Sequence, residues 1–258
     1  MKILDKKSER VALQSIAEEE QKRRHLVVTL SGAHAYGFPS PDSDLDIKAV
    51  HIEPTREILG FAKSSDANDR LEFIEGVEID YSSNELSGVL AGILTGNGNY
   101  IERILGQHIL HSSEEHEQLK ALTPNVLSKR VYRHYRGFAH GQRLAFESAE
   151  FPSAKKLLYT LRTVLTGVHL LRTGELLVDL NATSEEYGYA DAKDLIEAKK
   201  HGEKTVLPES TRTSWKARFT RLFAELDDAH DESILPESPK SVDELENFLI
   251  EVRRTDLL

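Results

Sequence analysis

A change in hydrophobic spacing along the chain is the feature that most restricts its fold. Before Asn84, apolar residues form short runs or alternate with polar ones, which predicts strands at His25 to Leu30, Leu45 to Ile52 and Val77 to Tyr81. Beyond Asn84, apolar residues recur every three or four positions over longer stretches, as in amphipathic helices. The sequence therefore predicts an α+β protein whose strands are confined to the first third.

Helical spacing also precedes the first strand, from Asp5 to about Arg24. The later helices are predicted at Leu86 to Leu94, Tyr100 to Leu105, Glu114 to Leu122, Val126 to Ser148, Ser153 to Arg172, Asp191 to His201, Thr213 to His230 and Ser241 to Arg254. A polar loop is predicted at Lys63 to Asp69, where no hydrophobic period exists. Because 258 residues exceed the commonest domain size, we expect an α/β domain over residues 1–122 and a helical domain over 123–258.

Two aspartates open the second predicted strand, in the run Asp44-Leu45-Asp46. Residues two apart in a strand project from the same face, so Asp44 and Asp46 form a candidate divalent-cation site. Asp80 in the third strand is the expected third carboxylate, with Glu78 on the same face as a reserve. The chain has no cysteine, and oxygen ligands favour Mg²⁺ or Mn²⁺. The alternatives are an acidic turn before a strand and, for Asp80, a cap on the next helix.

A glycine turn, Ser31-Gly32-Ala33-His34-Ala35-Tyr36-Gly37, directly follows the first strand. Glycine permits close approach of the backbone to a phosphate, and the Ser31 hydroxyl can donate to one. His34 could donate to a phosphate or simply cap the turn. The turn is therefore a candidate phosphate-binding segment.

The glycine turn followed by Ser43-Asp44-Leu45-Asp46 resembles the DNA polymerase β-type nucleotidyltransferase superfamily. Within this superfamily, the segment from Ser31 to Asp46 is most similar to the predicted nucleotidyltransferases linked to RNA repair. Two further segments resemble that group: Gly96-Asn97-Gly98-Asn99 with Glu102, and a helix carrying Lys156, Tyr159 and Arg162. Read by itself, the Gly96 segment is better explained as a helix end and a turn. The likeness covers about Val27 to Arg172.

This resemblance implies Mg²⁺-dependent transfer of a nucleoside monophosphate from an NTP to a hydroxyl. It implies that Asp44 and Asp46 bind metal, that Asp80 is the third carboxylate, and that a small polymerase β-type domain with a mixed sheet precedes the helical domain. The expected nucleotide-binding residues are Ser31, Gly32, Ala33, His34, Gly37, Ser43, Lys155, Lys156, Tyr159 and Arg162.

Two other functions remain as alternatives, and one of them follows from a departure from the family. Ala33 stands where members usually carry serine, whose hydroxyl helps to hold the triphosphate. The chain could therefore be a nucleotide- or RNA-binding protein with a degraded site. A looser resemblance, to small transferases of toxin and antitoxin pairs, implies nucleotidylation of a protein hydroxyl.

Charge is unevenly distributed along the chain. The net charge is −10, yet residues 128–175 hold nine Lys or Arg against three Glu. Helical spacing aligns one basic stripe, which we expect to bind an RNA acceptor: Lys129, Arg133, Arg136, His140 and Arg143. A second stripe combines charge with a ring that can stack on a base: Lys155, Tyr159, Arg162, Thr166 and His169. The alternative for both is a solvated helix face.

The remaining signals concern location and histidines. No apolar run is long enough for a membrane span and the start lacks a signal-peptide pattern, so we expect a cytoplasmic protein without a membrane partner. His108, His111 and His116 have no matching carboxylate cluster and are expected in a solvent-facing segment.

Overall fold

The computed structural model describes residues 3–61, 67–202 and 206–257. These residues contain a five-stranded mixed sheet in the order β3-β4-β2-β1-β5. The strands are β1 (Arg24–Leu30), β2 (Leu45–Ile52), β3 (Ala67–Ile74), β4 (Val77–Glu85) and β5 (Ile109–Ser112). The helices are α1 (Lys6–Glu20), α2 (Gly32–Ala35), α3 (Thr55–Leu59), α4 (Leu86–Leu94), α5 (Gly98–Leu105), α6 (Glu114–Val126), α7 (Val131–Glu147), α8 (Ala154–Thr173), α9 (Leu180–Glu186), α10 (Ala192–Lys199), α11 (Glu209–Asp231) and α12 (Val242–Leu257). The predicted α+β class is confirmed.

The sheet has one apolar face and one polar face near its centre. Alternating residues of β2 and β4, among them Leu45, Ile47 and Ile79, are buried against α1. Successive residues of a strand point to opposite faces, so Asp46 and Asp80 project from the other face. β2 pairs with β4 in parallel and with β1 antiparallel, which places β2 in the middle of the sheet.

Two strands and a short helix differ from the sequence prediction. Within the loop expected at Lys63 to Asp69, residues 63–66 lie outside the described residues, but Asp69 belongs to the edge strand β3. A two-residue turn at Glu75 and Gly76, both with positive φ, connects β3 to β4 as a hairpin. The alternation of β3 is unusual, because Leu71 and Phe73 are exposed while Arg70 and Glu72 are partly buried. β5 lies beyond the first third of the chain. Both β5 and α9 are too short to show a hydrophobic period.

The described residues divide into two compact units. We call the first the sheet unit, which comprises Met1–His34, Asp44–Leu127 and Pro239–Leu258. The helical unit comprises Ala35–Ser43 and Ser128–Ser238. This division differs from a single boundary after residue 122, because α12 packs against α3, α4 and α6 of the sheet unit.

The helical unit is built around α8. Nearly all of its side chains from Leu157 to Leu171 are buried, because α7, α9, α10 and α11 pack around it. The left-handed residue Gly174 ends the helix. Among the helices in the described part of the chain, none combines the length and apolar character needed to cross a bilayer.

Candidate active site

Three carboxylates meet at the polar face of the sheet unit. Asp46 of β2 and Asp80 of β4 are direct partners in the parallel register, and Asp44 immediately precedes β2. One oxygen from each of these carboxylates lies within 4.8 Å of the others, and all three residues are partly exposed. Among the described residues this cluster contains Asp80 and not the reserve residue Glu78. The parallel pairing of β2 and β4 therefore brings together residues more than thirty positions apart in the sequence.

The chemistry of this cluster fits a divalent cation. Its donors are carboxylate oxygens, which Mg²⁺ and Mn²⁺ prefer, and carboxylates this close repel each other without a nearby positive charge. The Lys48 ammonium supplies such a charge, at 3.0 Å from Asp80 Oδ1 and 3.6 Å from Asp46 Oδ1. The site thus already stabilises a cationic group between two of the three carboxylates.

Gly32 lies directly against the Asp46 carboxylate. Its φ is +63°, and a Cβ atom built on it would be 1.7 Å from Asp46 Oδ2. The neighbouring Ser31 N–H donates to the Asp46 carbonyl at 2.8 Å, which fixes the turn to the start of β2. The position therefore requires glycine for two separate reasons, the backbone conformation and the absence of a side chain.

The rest of the sheet-unit turn is mostly covered. α2 is a single helical turn in which Ala33 is 2% exposed, while Ser31 and His34 are partly exposed. The structure therefore places Ser31 and Gly32 beside Asp46, whereas the Ala33 side chain is buried.

Arg103 of α5 supports the polar face and was missed by sequence reasoning. Its guanidinium donates to the Ala49 carbonyl at 3.0 Å, to Ser82 Oγ at 3.3 Å and to the Asn84 side chain. Burial lowers the pKa of Arg103 from its usual value, against the opposing effect of neighbouring groups such as Tyr100 and Asp69. The side chain ties β2 to β4 next to the aspartates.

Gly37 and Ser43, two predicted nucleotide-binding residues, belong to the helical unit. Gly37 has a φ of +85°, and its carbonyl accepts a hydrogen bond of 3.0 Å from Asn181 Nδ2 of α9. A Cβ atom at this position would be 2.4 Å from that nitrogen. The glycine is thus required for packing against α9.

Lys199 of α10 organises the turn that carries Ser43, and nothing in the sequence pattern indicated it. The side chain is fully buried, and its ammonium donates to Ser43 Oγ at 3.0 Å and to Ser40 Oγ at 3.1 Å. It also lies 5.8 Å from the centre of the Phe38 ring. A partner 156 positions away in sequence is visible only in the folded chain.

The predicted α8 stripe makes contacts inside the helical unit. The Arg162 guanidinium lies 3.6 Å from the centre of the Tyr36 ring and is almost fully buried. Tyr159 packs edge-to-face on Tyr36 and Phe38. Lys156 Nζ donates to the Ala145 carbonyl of α7 at 3.3 Å, and Lys155 is partly exposed. The stripe therefore packs against the Tyr36 to Phe38 segment, whether or not it also binds nucleotide.

Most of the predicted α7 stripe is engaged by neighbouring side chains. Arg136 pairs with Asp227 of α11 at 2.8 Å, and Arg143 pairs with Glu147 at 2.9 Å. Lys129 precedes α7 and pairs with Glu237 at 2.8 Å. Arg133 is exposed. The stripe is thus not a simple solvated face, because α11 covers part of it.

The expectation that the region of His108, His111 and His116 faces solvent is wrong for His116. This residue is fully buried at the start of α6, with its ring nitrogens near Ser112 Oγ at 2.7 Å and the Ile104 carbonyl at 3.0 Å. The Gly96 segment, in contrast, is the predicted helix end and turn, because Gly96 follows α4 and Asn97 caps α5.

Comparison of the sequence with known proteins shows the family of this chain. The model of the RNA repair pathway DNA polymerase beta family matches residues 6–251. The chain belongs to this family. The match covers residues of both units and most of α12. It is therefore longer than the Val27 to Arg172 region, whose motifs resemble the family. It also makes a nucleotide the expected class of substrate.

Two individual proteins are similar to this family member. An uncharacterized protein of Methanocaldococcus jannaschii is 32% identical over 219 residues, which cover 83% of this chain and 88% of that protein. A solved nucleotidyltransferase-like protein from Exiguobacterium sibiricum aligns with 96% of this chain and 80% of its own, at 12% identity and a TM-score of 0.36. At that score the likeness is remote.

Proposed function

We propose that this protein is a metal-dependent nucleotidyltransferase that transfers a nucleoside monophosphate from an NTP to a hydroxyl at an RNA end. The observation that carries the proposal is the meeting of Asp44, Asp46 and Asp80 within 4.8 Å in a polymerase β-like chain. In the reaction, the acceptor oxygen forms a bond to the α-phosphorus, and the bond to the β-phosphate oxygen breaks to release pyrophosphate.

The residues of the sheet unit divide this work. Asp44, Asp46 and Asp80 would hold Mg²⁺ or Mn²⁺, which when bound activates the acceptor hydroxyl and neutralises charge on the triphosphate. Gly32 leaves room for the Asp46 carboxylate, and the backbone N–H of Ser31 fixes the turn to the start of β2. Arg103 keeps β2 and β4 in register beneath these groups.

RNA is the acceptor that the available observations favour. The description of the family refers to RNA repair, and the exposed Arg133 on the basic α7 can contact a phosphate backbone. Lys129, Arg136 and Arg143 can take part only if they retain free donor capacity beside their acidic partners, since each already forms an ion pair.

An enzyme is favoured over a binding module by the carboxylate cluster itself. A protein that only senses nucleotide has no need of three adjacent carboxylates, which repel the triphosphate unless a divalent cation lies between them. The substitution at Ala33 is compatible with activity, because that side chain is buried and Ser31 lies beside Asp46.

The test is a transfer assay with Mg²⁺ or Mn²⁺, each of the four labelled NTPs in turn, and a pool of short RNAs. Label should move to RNA with the wild-type protein. Asp44→Asn and Asp46→Asn should each lower the rate by about 100-fold or more while the far-ultraviolet circular dichroism stays unchanged, because the cation loses a ligand that stabilises the transition state.

Glu78→Gln is the matched control, since it neutralises a carboxylate of the neighbouring strand β4 that lies outside the cluster, and it should retain activity. Full activity of either aspartate variant would disprove the metal assignment. Label on protein instead of RNA would replace the proposed acceptor, and absence of any label with all four NTPs would favour a binding module.

A further inference from the structure

Lys48 lies among the carboxylates of the proposed metal site. It follows Asp46 by two residues in β2 and therefore projects from the same face. Its ammonium lies 3.0 Å from Asp80 Oδ1, 3.6 Å from Asp46 Oδ1 and 3.4 Å from the Asp80 carbonyl oxygen. The side chain is 20% exposed, so it is held within the cluster.

A divalent cation bound to Asp46 and Asp80 would lie close to the Oδ1 atoms that Lys48 contacts, whichever oxygen of each carboxylate it used. Two positive charges cannot share these oxygens at contact distance without strong repulsion, especially in a partly buried site where the effective dielectric is well below that of water. Binding of the cation therefore opposes the present position of Lys48.

We propose that Lys48 is a resident counter-cation that competes with the divalent metal for Asp46 and Asp80. In the free protein it holds the carboxylates in place and keeps metal affinity low. When metal arrives together with a triphosphate, the ammonium leaves the carboxylates and pairs with the added negative charge. The inference rests on the proposed function, because it presumes that the cluster binds metal and NTP.

The lysine side chain suits this exchange. Its ammonium is a point charge on a flexible four-carbon stem, so it can move by several ångströms without changing the backbone. Asp80 is 41% exposed at its side chain, which leaves room for the ammonium to leave the cluster. A purely structural ion pair makes the opposite prediction, because removing it would loosen the cluster and weaken metal binding.

Electron paramagnetic resonance of free Mn²⁺ measures this competition directly, without turnover. Mn²⁺ is titrated into wild-type protein, Lys48→Met and Lys48→Arg, and the same titrations are repeated with an NTP analogue that cannot be cleaved between the α- and β-phosphates. Without nucleotide, Lys48→Met should bind Mn²⁺ at least about 10-fold more tightly, equivalent to about 1.4 kcal/mol. Lys48→Arg keeps the charge and should bind as weakly as the wild type. With the analogue, the difference between Lys48→Met and the wild type should shrink.

Equal or weaker Mn²⁺ binding by folded Lys48→Met would overturn the inference, and circular dichroism establishes that the variant is folded. If the wild type binds Mn²⁺ with the analogue but free Lys48→Met gains no affinity, only the role of Lys48 fails. If neither protein binds Mn²⁺ with or without the analogue, the metal site fails, and the proposed function fails with it.

Discussion

Gly32 is the single residue whose identity the site geometry restricts most. The position combines a positive φ with contact against Asp46 Oδ2, so any side chain both strains the backbone and displaces a proposed metal ligand. Gly37 is restricted in a similar way by Asn181, but there the consequence is packing within the helical unit. The two glycines of one sequence motif therefore serve different purposes.

Gly32→Ala should slow nucleotidyl transfer by about 100-fold, because displacing catalytic geometry by about 1 Å can cost that much, and it should also weaken Mn²⁺ binding. The measurement is the transfer assay combined with the Mn²⁺ titration. Gly76→Ala is the matched control. Its φ of +76° imposes similar backbone strain, yet nothing lies within 4 Å of the added Cβ. Wild-type Mn²⁺ affinity in Gly32→Ala would contradict the close contact with Asp46.

Contacts near the aspartates can be predicted from the sequence only between residues that are neighbours in one strand. Asp46 and Lys48 are two apart in one predicted strand, so their common face follows from the period of two. The pairing of Lys48 with Asp80 does not follow from it, because that contact needs the register between β2 and β4.

At the scale of elements, α12 is the clearest case of a helix placed by tertiary packing. It is the last element, yet it contacts α3, α4 and α6 of the sheet unit. Arg253 donates to the Glu53 carbonyl at 3.0 Å and pairs with Glu85, and the Thr55 N–H donates to Asp256 at 2.6 Å. Burial by itself would raise the pKa of Glu85, but hydrogen bonds from Ser87 and Arg253 outweigh it and lower the pKa.

Leu245→Ala should destabilise the sheet unit by about 3 kcal/mol, because the side chain is 2% exposed and its removal leaves a cavity in the packing of α12. Amide hydrogen exchange would show faster exchange in α12 together with β1 and β2. Ile250→Ala is the control, since that side chain on the same helix is 48% exposed and its loss should cost well under 1 kcal/mol. Faster exchange confined to α11 would contradict the assignment of α12 to the sheet unit.

At the scale of the whole molecule, buried histidines link stability to pH. Burial, assisted by the charge of nearby His111, lowers the pKa of His25 to about 4, and the ring contacts Tyr81 Oη at 2.7 Å. Burial also lowers the pKa of His51 and His116, partly opposed by Glu53 for His51 and by the Ile104 carbonyl for His116. The native state keeps these rings neutral, whereas the unfolded state takes up protons below about pH 6.5.

The free energy of unfolding should therefore fall as the pH decreases from 7 to 5, with His25 contributing on the order of 2 kcal/mol of the loss. Stability rises with pH in this window because the unfolded state binds more protons. Urea unfolding at several pH values would measure the slope. His25→Gln should make it shallower, while His201→Gln, at an exposed position in the helical unit, should leave it unchanged. An unaltered slope in His25→Gln would contradict the shift.

The sequence by itself determined the strands β1, β2 and β4, most of the helices, the glycine turn with its Asp-x-Asp strand, and the long helix around Leu157 to Leu171. These features depend on hydrophobic period and turn chemistry over a few neighbouring residues, which local sequence specifies. It also determined the family, because the motif residues are close together in the chain.

Tertiary structure alone decided which distant residues meet. The register of β2 and β4 joins Asp46 to Asp80, buried Lys199 reaches Ser43, and the last helix returns to the sheet unit. Edge strand β3 alternates in the opposite sense to a core strand, since Leu71 and Phe73 are exposed while Arg70 and Glu72 are partly buried, so its pattern did not indicate a buried face. Contacts of this kind depend on the packing of whole elements, so no local pattern in the sequence specifies them.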